Sequence, residues 1–201
     1  VRMRGWACFV VASLIAGDAS AYMSLDQNAV GATNYKKIAW PTGSLPVKFR
    51  VDNDIYGITT GSLSASNARQ LVRSNLTLWN AVPNALAAGG NVTAAGVNFS
   101  SANYGTAWSI TSGSNDIAFD NDGGIFALFG LSTTSVLGFA VEVRLVATGD
   151  ITRCYTVLNG LVANNGPGDY QATTLHEIGH NLGLAHTSVG MINSTSPSAG
   201  I

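Results

Sequence analysis

The sequence predicts an α+β domain, a mixed sheet with helices packed on it, and three observations carry that expectation. Apolar and polar residues alternate near residue 50, the spacing turns helical from residue 64, and a second helical stretch arrives only after several strand-like segments. At 201 residues the chain can bury one substantial core, so a single folded domain is expected.

The first 21 residues stand apart from that domain. Arg2 and Arg4 precede an apolar run from Trp6 to Ala16, and Ala19-Ser20-Ala21 follows, the layout of a cleaved secretory signal. The run is too short to span a bilayer; a buried N-terminal helix is the plain alternative. Secretion is therefore expected. Cys8 leaves with this segment, so Cys154 is the single thiol of the mature chain and no intramolecular disulfide is available.

Residues 22–39 show no apolar period and read as a leader or linker, with the domain proper spanning 40–201. Val47, Phe49 and Val51 alternate with Lys48, Arg50 and Asp52, which predicts a strand with one buried face. From Ser64 the period changes. Ala68, Leu71, Val72, Leu76 and Trp79 recur at helical spacing, Ser64 or Ser66 can cap the start, and Val82-Pro83 ends the run. Further strands are expected around Val97-Phe99, Ile117-Phe119, Val136-Leu145 and Cys154-Leu158. Gly166-Pro167-Gly168, with Asp169 as N-cap, opens a last helix that runs to about Leu182.

Charge and hydropathy exclude several partners. With 10 basic and 11 acidic residues, the chain offers no electrostatic footprint for nucleic acid or an anionic membrane surface. The apolar region Ile125 to Val146 is broken by Gly130, Ser132 to Ser135, Gly138 and Glu142, so it predicts no membrane span. A monomer is expected. Four N-x-S/T sequons, at Asn75, Asn91, Asn98 and Asn193, are left unassigned because such short matches arise readily in a chain rich in Asn, Ser and Thr.

All three histidines of the chain fall between residues 176 and 186. His176 and His180 lie about 40° apart on one helix face, one turn from each other, so both imidazoles can reach one ion. Leu175, Ile178 and Leu182 form a separate stripe for the core. Gly183 is placed to end the helix in a left-handed conformation and swing the chain round, delivering His186. Three imidazoles hold Zn²⁺ and leave one position open, the arrangement of catalytic zinc. Glu177, next to the first ligand, is the general base that takes a proton from the attacking water and returns it to the leaving amine. The plain alternative is a helix whose histidines face solvent or core partners.

The motif His176-Glu177-x-x-His180-x-x-Gly183-x-x-His186 resembles that of the metzincin metallopeptidases, and HEIGHNLGLAH is most similar to the secreted bacterial matrixins. Looser likenesses extend over residues 40–190: Trp40-Pro41 opening the first strand, Trp79-Asn80 ending the first helix, and Val157-Leu158-Asn159 before the zinc helix. The resemblance implies a zinc-dependent endopeptidase with a twisted five-stranded sheet and an antiparallel edge strand along which an extended peptide pairs. It places that edge at Val136-Leu137-Gly138-Phe139-Ala140, with Leu137, Gly138, Phe139 and Ala140 contacting substrate. It also implies a methionine turn beneath the zinc, for which Met191 is the candidate, and a final helix expected beyond Ile201. No inhibitory propeptide cysteine is present, so latency through a thiol is not expected. Matrixins carry structural Ca²⁺, and Asp120-Asn121-Asp122-Gly123-Gly124 is a dense group of oxygen donors, but the remaining ligands of a calcium loop are missing and a plain surface turn is the favoured reading.

Two other readings stay open. The chain could be a non-catalytic zinc- and peptide-binding domain, against which Glu177 speaks, or a zinc hydrolase of non-protein amides or esters.

Overall fold

In the computed structural model of the chain, the described residues are 10–12, 22–24, 38–52, 65–82, 92–108, 114–145, 147–161 and 167–186. Within these, residues 10–12, 22–24, 65–69, 167–170, 185 and 186 are described by their backbone. Met191 and Asn193 lie outside the described residues.

The chain order is β1 (Val10–Ala12), β2 (Tyr22–Ser24), β3 (Phe49–Val51), α1 (Ala65–Asn80), β4 (Val92–Ala94), β5 (Asn115–Asp120), α2 (Gly124–Leu128), β6 (Gly138–Arg144), β7 (Ile151–Asn159), α3 (Pro167–Asn181) and β8 (Leu184–His186). It is a mixed α+β arrangement. The main sheet runs β1-β6-β7-β5-β3-β4, and β2 pairs separately with β8. Strands β4, β3, β5 and β7 are mutually parallel; β6 is antiparallel to β7, and β1 adds antiparallel to the outer side of β6. Apart from the three residues of β1, the body of the sheet has five strands with β6 as its antiparallel edge.

The alternation near residue 50 does what its pattern requires. Val47, Phe49 and Val51 are buried in a core shared with Val72 and Leu76 of α1, Ile178 of α3, and Cys154 and Leu158 of β7. This core fills the space between the helices and one face of the sheet. The other face carries an aromatic core of Phe99, Trp108, Phe126, Phe139 and Tyr155, in which Trp108 meets Tyr155 edge-on at 5.7 Å between ring centres. Central parallel strands covered on both faces are expected to be apolar throughout, and all but the first residue of β5 are buried.

Several elements differ from expectation. The fourth strand is Val92–Ala94, and the stretch at 97–99 is irregular. Its alternation imitates a strand, but Phe99 is buried as a loop anchor, its N–H donating to the Asp52 carboxylate at 2.9 Å. Helix α3 begins at Pro167, whose fixed φ and missing N–H suit a first helical position, so Asp169 sits inside the first turn rather than capping it. Residues 22–39 are not all linker, since Tyr22–Ser24 is a strand and Ile38 is buried. Asp120–Gly124 leads directly into α2 rather than forming an isolated turn. Asn75 is fully buried with its Nδ2 donating to the Gln171 carbonyl, which removes it as a glycosylation acceptor in the folded chain. No helix among the described residues is long and apolar enough to cross a membrane.

Candidate metal centre

Helix α3 lies across the face of β6 and β7, and its carbonyls are tied from three directions. Asn75 donates to Gln171 O at 3.2 Å, Trp79 Nε1 to Leu175 O at 3.0 Å and Trp40 Nε1 to Asn181 O at 2.7 Å. Each is a buried or half-buried bond between distant parts of the chain. Trp40 and Trp79 thus earn their places in the sequence by fixing the helix that bears the histidines.

On that helix the His176 and His180 rings stand edge to face at 86°, with their Nε2 atoms 3.2 Å apart. The Leu184 carbonyl is 2.7 Å from His180 Nδ1; a carbonyl can only accept, so Nδ1 carries the proton and Nε2 keeps its lone pair, which faces His176 Nε2. Two imidazoles on one tetrahedral Zn²⁺ place their nitrogens about 3.3 Å apart, given ~2.0–2.1 Å per Zn–N bond. The pair therefore fits a shared ion, and the carbonyl behind His180 supplies the outer-shell bond that such ligands use to fix their tautomer.

The helix ends where the sequence predicts. Gly183 has φ of 93°, its N–H bonds His180 O at 2.8 Å, and a Cβ there would lie 3.2 Å from Ile38 O. Both the handedness and the close approach favour glycine. The chain then turns into β8, which carries His186 through its backbone; the His186 side chain lies outside the described residues. Among the described residues no three His, Cys, Asp or Glu side chains form a metal-holding group.

Glu177 is fully enclosed between α3 and β6, and neither carboxylate oxygen has a hydrogen-bond partner among the described residues. Burial, and secondarily the charge of Glu142, raises its pKa well above the usual carboxylate range. A Cβ on Gly138 would come within 3.1 Å of Glu177 Cγ, so the glycine of the edge strand is the floor on which Glu177 rests. Glu142, on the same strand and 7% exposed, is pushed up to about 7 by burial, against opposing contributions from its own backbone N–H and Arg144. Asn181 completes this polar layer, donating to Thr156 Oγ1 at 2.6 Å, with no partner for its own Oδ1 among the described residues. Sequence reasoning passed over Glu142, Asn181 and Thr156, which come from three different elements and share no local pattern.

No protein-family model, curated protein or solved structure matches this chain. The site's own chemistry must carry its function.

Of the expected substrate-edge residues, Gly138, Phe139 and Ala140 lie in β6, and Leu137 leads into it. Phe139 is buried in the aromatic core, and the backbone of Phe139, Ala140 and Val141 is laddered to β1, so an extended partner can use this edge only in place of Val10–Ala12. Asn159 shapes the approach to the strand, its Nδ2 donating to Thr133 O and Val136 O. At the far end of β5, Asp120 Oδ2 accepts from Phe126 N at 2.8 Å, whereas Asp120 Oδ1 and Asn121 Oδ1 are buried with no hydrogen-bond partner among the described residues. Burial first, and then neighbouring Asp122, raises the Asp120 pKa.

Proposed function

We propose that the chain is a secreted zinc-dependent endopeptidase resembling the metzincins, with His176, His180 and His186 as ligands and Glu177 as general base. The observation that carries this reading is the pair of imidazole nitrogens 3.2 Å apart on one turn of a buried helix, directly beside a wholly enclosed carboxyl group. The five-stranded mixed sheet with its antiparallel edge supports the resemblance at the level of architecture.

His176 and His180 would present their Nε2 lone pairs from α3, and His186 would complete the set from β8. Zinc supplies Lewis acidity there, polarising a carbonyl and acidifying water. Once the expected secretory segment carrying β1 is removed, strand β6 would offer backbone N–H and C=O groups to an extended peptide in place of Val10–Ala12, holding the scissile bond alongside α3. Glu177 takes a proton from the attacking water and passes it to the departing amine nitrogen. Its enclosure suits this task, because a carboxylate made more basic by desolvation is a stronger proton acceptor. Met191 is proposed as the methionine of the turn below the ion. The partnerless oxygens of Asp120 and Asn121, close to Asp122, are proposed to take a structural Ca²⁺, which should raise the melting temperature of wild type but not of Asp122→Asn.

The same enclosure of Glu177 favours a second reading, a non-catalytic zinc- and peptide-binding domain whose carboxyl stays protonated. Zinc analysis paired with casein hydrolysis separates the two. The catalytic reading expects about one zinc per chain, cleavage that stops with a strong chelator, and loss of both in His186→Ala. Zinc retained by wild type with no cleavage of casein or of a broad peptide library selects the binding domain. No zinc in wild type removes both.

A further inference from the structure

Strand β8 is three residues long, follows directly on the Gly183 turn, and carries the third histidine. Its ladder is with β2, in antiparallel register: Tyr22 opposite His186, Met23 opposite Ala185 and Ser24 opposite Leu184. The near end of β8 is fixed twice, by the tight turn at Gly183 and by the Leu184 carbonyl accepting from His180 Nδ1. Nothing equivalent fixes the far end among the described bonds except the β2 ladder, which places Tyr22 beside His186.

We infer that Tyr22–Ser24 is a positioning strand for the metal centre, holding the main chain of His186 against the His176–His180 pair. The inference rests on the three-histidine reading above. An isolated two-stranded ribbon is marginal in water, so β8 depends on every bond it makes. A bound ion tolerates only about 0.2 Å of error in ligand distance. If the far end of β8 frays, the third ligand spends part of its time out of reach, and affinity falls by the fraction of time lost. Residues that read in the sequence as an idle leader thereby become part of the site through backbone bonds alone, which is why no side-chain pattern announced them.

The test uses the full chain with Met23→Pro and, separately, Ser24→Pro. Successive residues of a strand direct their N–H groups to opposite edges, so one of the two substitutions removes a donor to β8. Thr93→Pro in β4, on the opposite edge of the sheet from β6, is the control for a general softening of short strands. Three quantities are read: Zn²⁺ affinity by competition with a chromogenic chelator, the visible absorption of the Co²⁺-loaded chain, and amide exchange at Leu184–His186. At least one of the two variants should lose roughly 10- to 100-fold in Zn²⁺ affinity, as outer-shell changes do. The same variant should weaken the Co²⁺ absorption and exchange faster at 184–186, with Thr93→Pro unchanged in all three. Wild-type affinity, absorption and exchange in both variants would overturn the inference and leave the three-histidine reading standing. A wild-type chain that binds neither metal would overturn both.

Discussion

Asp52 and Glu177 are both wholly buried carboxylic acids, and their surroundings are opposite. Asp52 accepts from Phe99 N at 2.9 Å through one oxygen and from Phe119 N at 3.2 Å through the other, tying a loop to the centre of the sheet. Glu177 has no partner for either oxygen among the described residues. Leaving a buried acceptor unpaired costs about 1–3 kcal/mol, and more for a charge, so Asp52 is placed for stability whereas Glu177 is held at stability's expense. A carboxyl kept at such cost, next in sequence to one of two converging imidazoles, supports the role proposed for Glu177.

The comparison breaks most sharply at Glu177→Gln. Turnover of casein should fall by about 10²- to 10⁴-fold, chiefly in kcat, with zinc content unchanged and the zinc-free chain no less stable than wild type. A variant that loses stability but keeps its activity would exchange the roles assigned to the two acids. Asp52→Asn should do the reverse: roughly 3 kcal/mol of stability lost in urea titration, from a mismatched amide facing two N–H groups, with kcat of the surviving folded fraction unaltered.

Glu142 sharpens the contrast through pH. Burial raises its pKa to about 7 in the folded chain from the ordinary glutamate value of 4.5, so the native state holds a proton that the unfolded chain has released. Stability from this group is fully present below the unfolded value and is lost as pH rises through the interval to about 7, by an amount on the order of 3 kcal/mol. Unfolding measured from pH 4.5 to 7.5 should show this decline in wild type and a flatter profile in Glu142→Gln. Equal slopes would mean that Glu142 is not enclosed as described. The smallest effect is expected from Trp79→Phe, which removes one donor from the Leu175 carbonyl while keeping the ring. About 1 kcal/mol of stability should go, with zinc affinity little changed.

The histidine-bearing helix and the first strand were legible because each is written in a local period. Val47, Phe49 and Val51 alternate and are buried; Gly183 predicts a left-handed turn and has one. The elements that escaped are fixed by distant partners. Helix α2 starts where the Asp120 carboxylate accepts from Phe126 and Gly123 takes a φ of 77°, a short-range arrangement that looks like a bare turn until the sheet buries Asp120. Strand β2 has three residues and no period, and exists through its register with Leu184–His186. The enclosure of Glu177 was equally hidden, because helical rotation places it next to the histidines but says nothing of Gly138 or Glu142, which arrive from another strand.

The order of elements along the chain has a consequence for synthesis. Strands β3 to β7 all precede α3, so during translation from the N-terminus the sheet can assemble while the histidines are still inside the ribosome. Until α3 emerges, the side of β6 and β7 bearing Cys154, Thr156 and Leu158 has no cover. A nascent chain stalled before residue 176 would carry a scaffold with an exposed, sticky face and neither histidine of the pair. The paired histidines thus follow the whole sheet in chain order, and the docking of α3 closes the core.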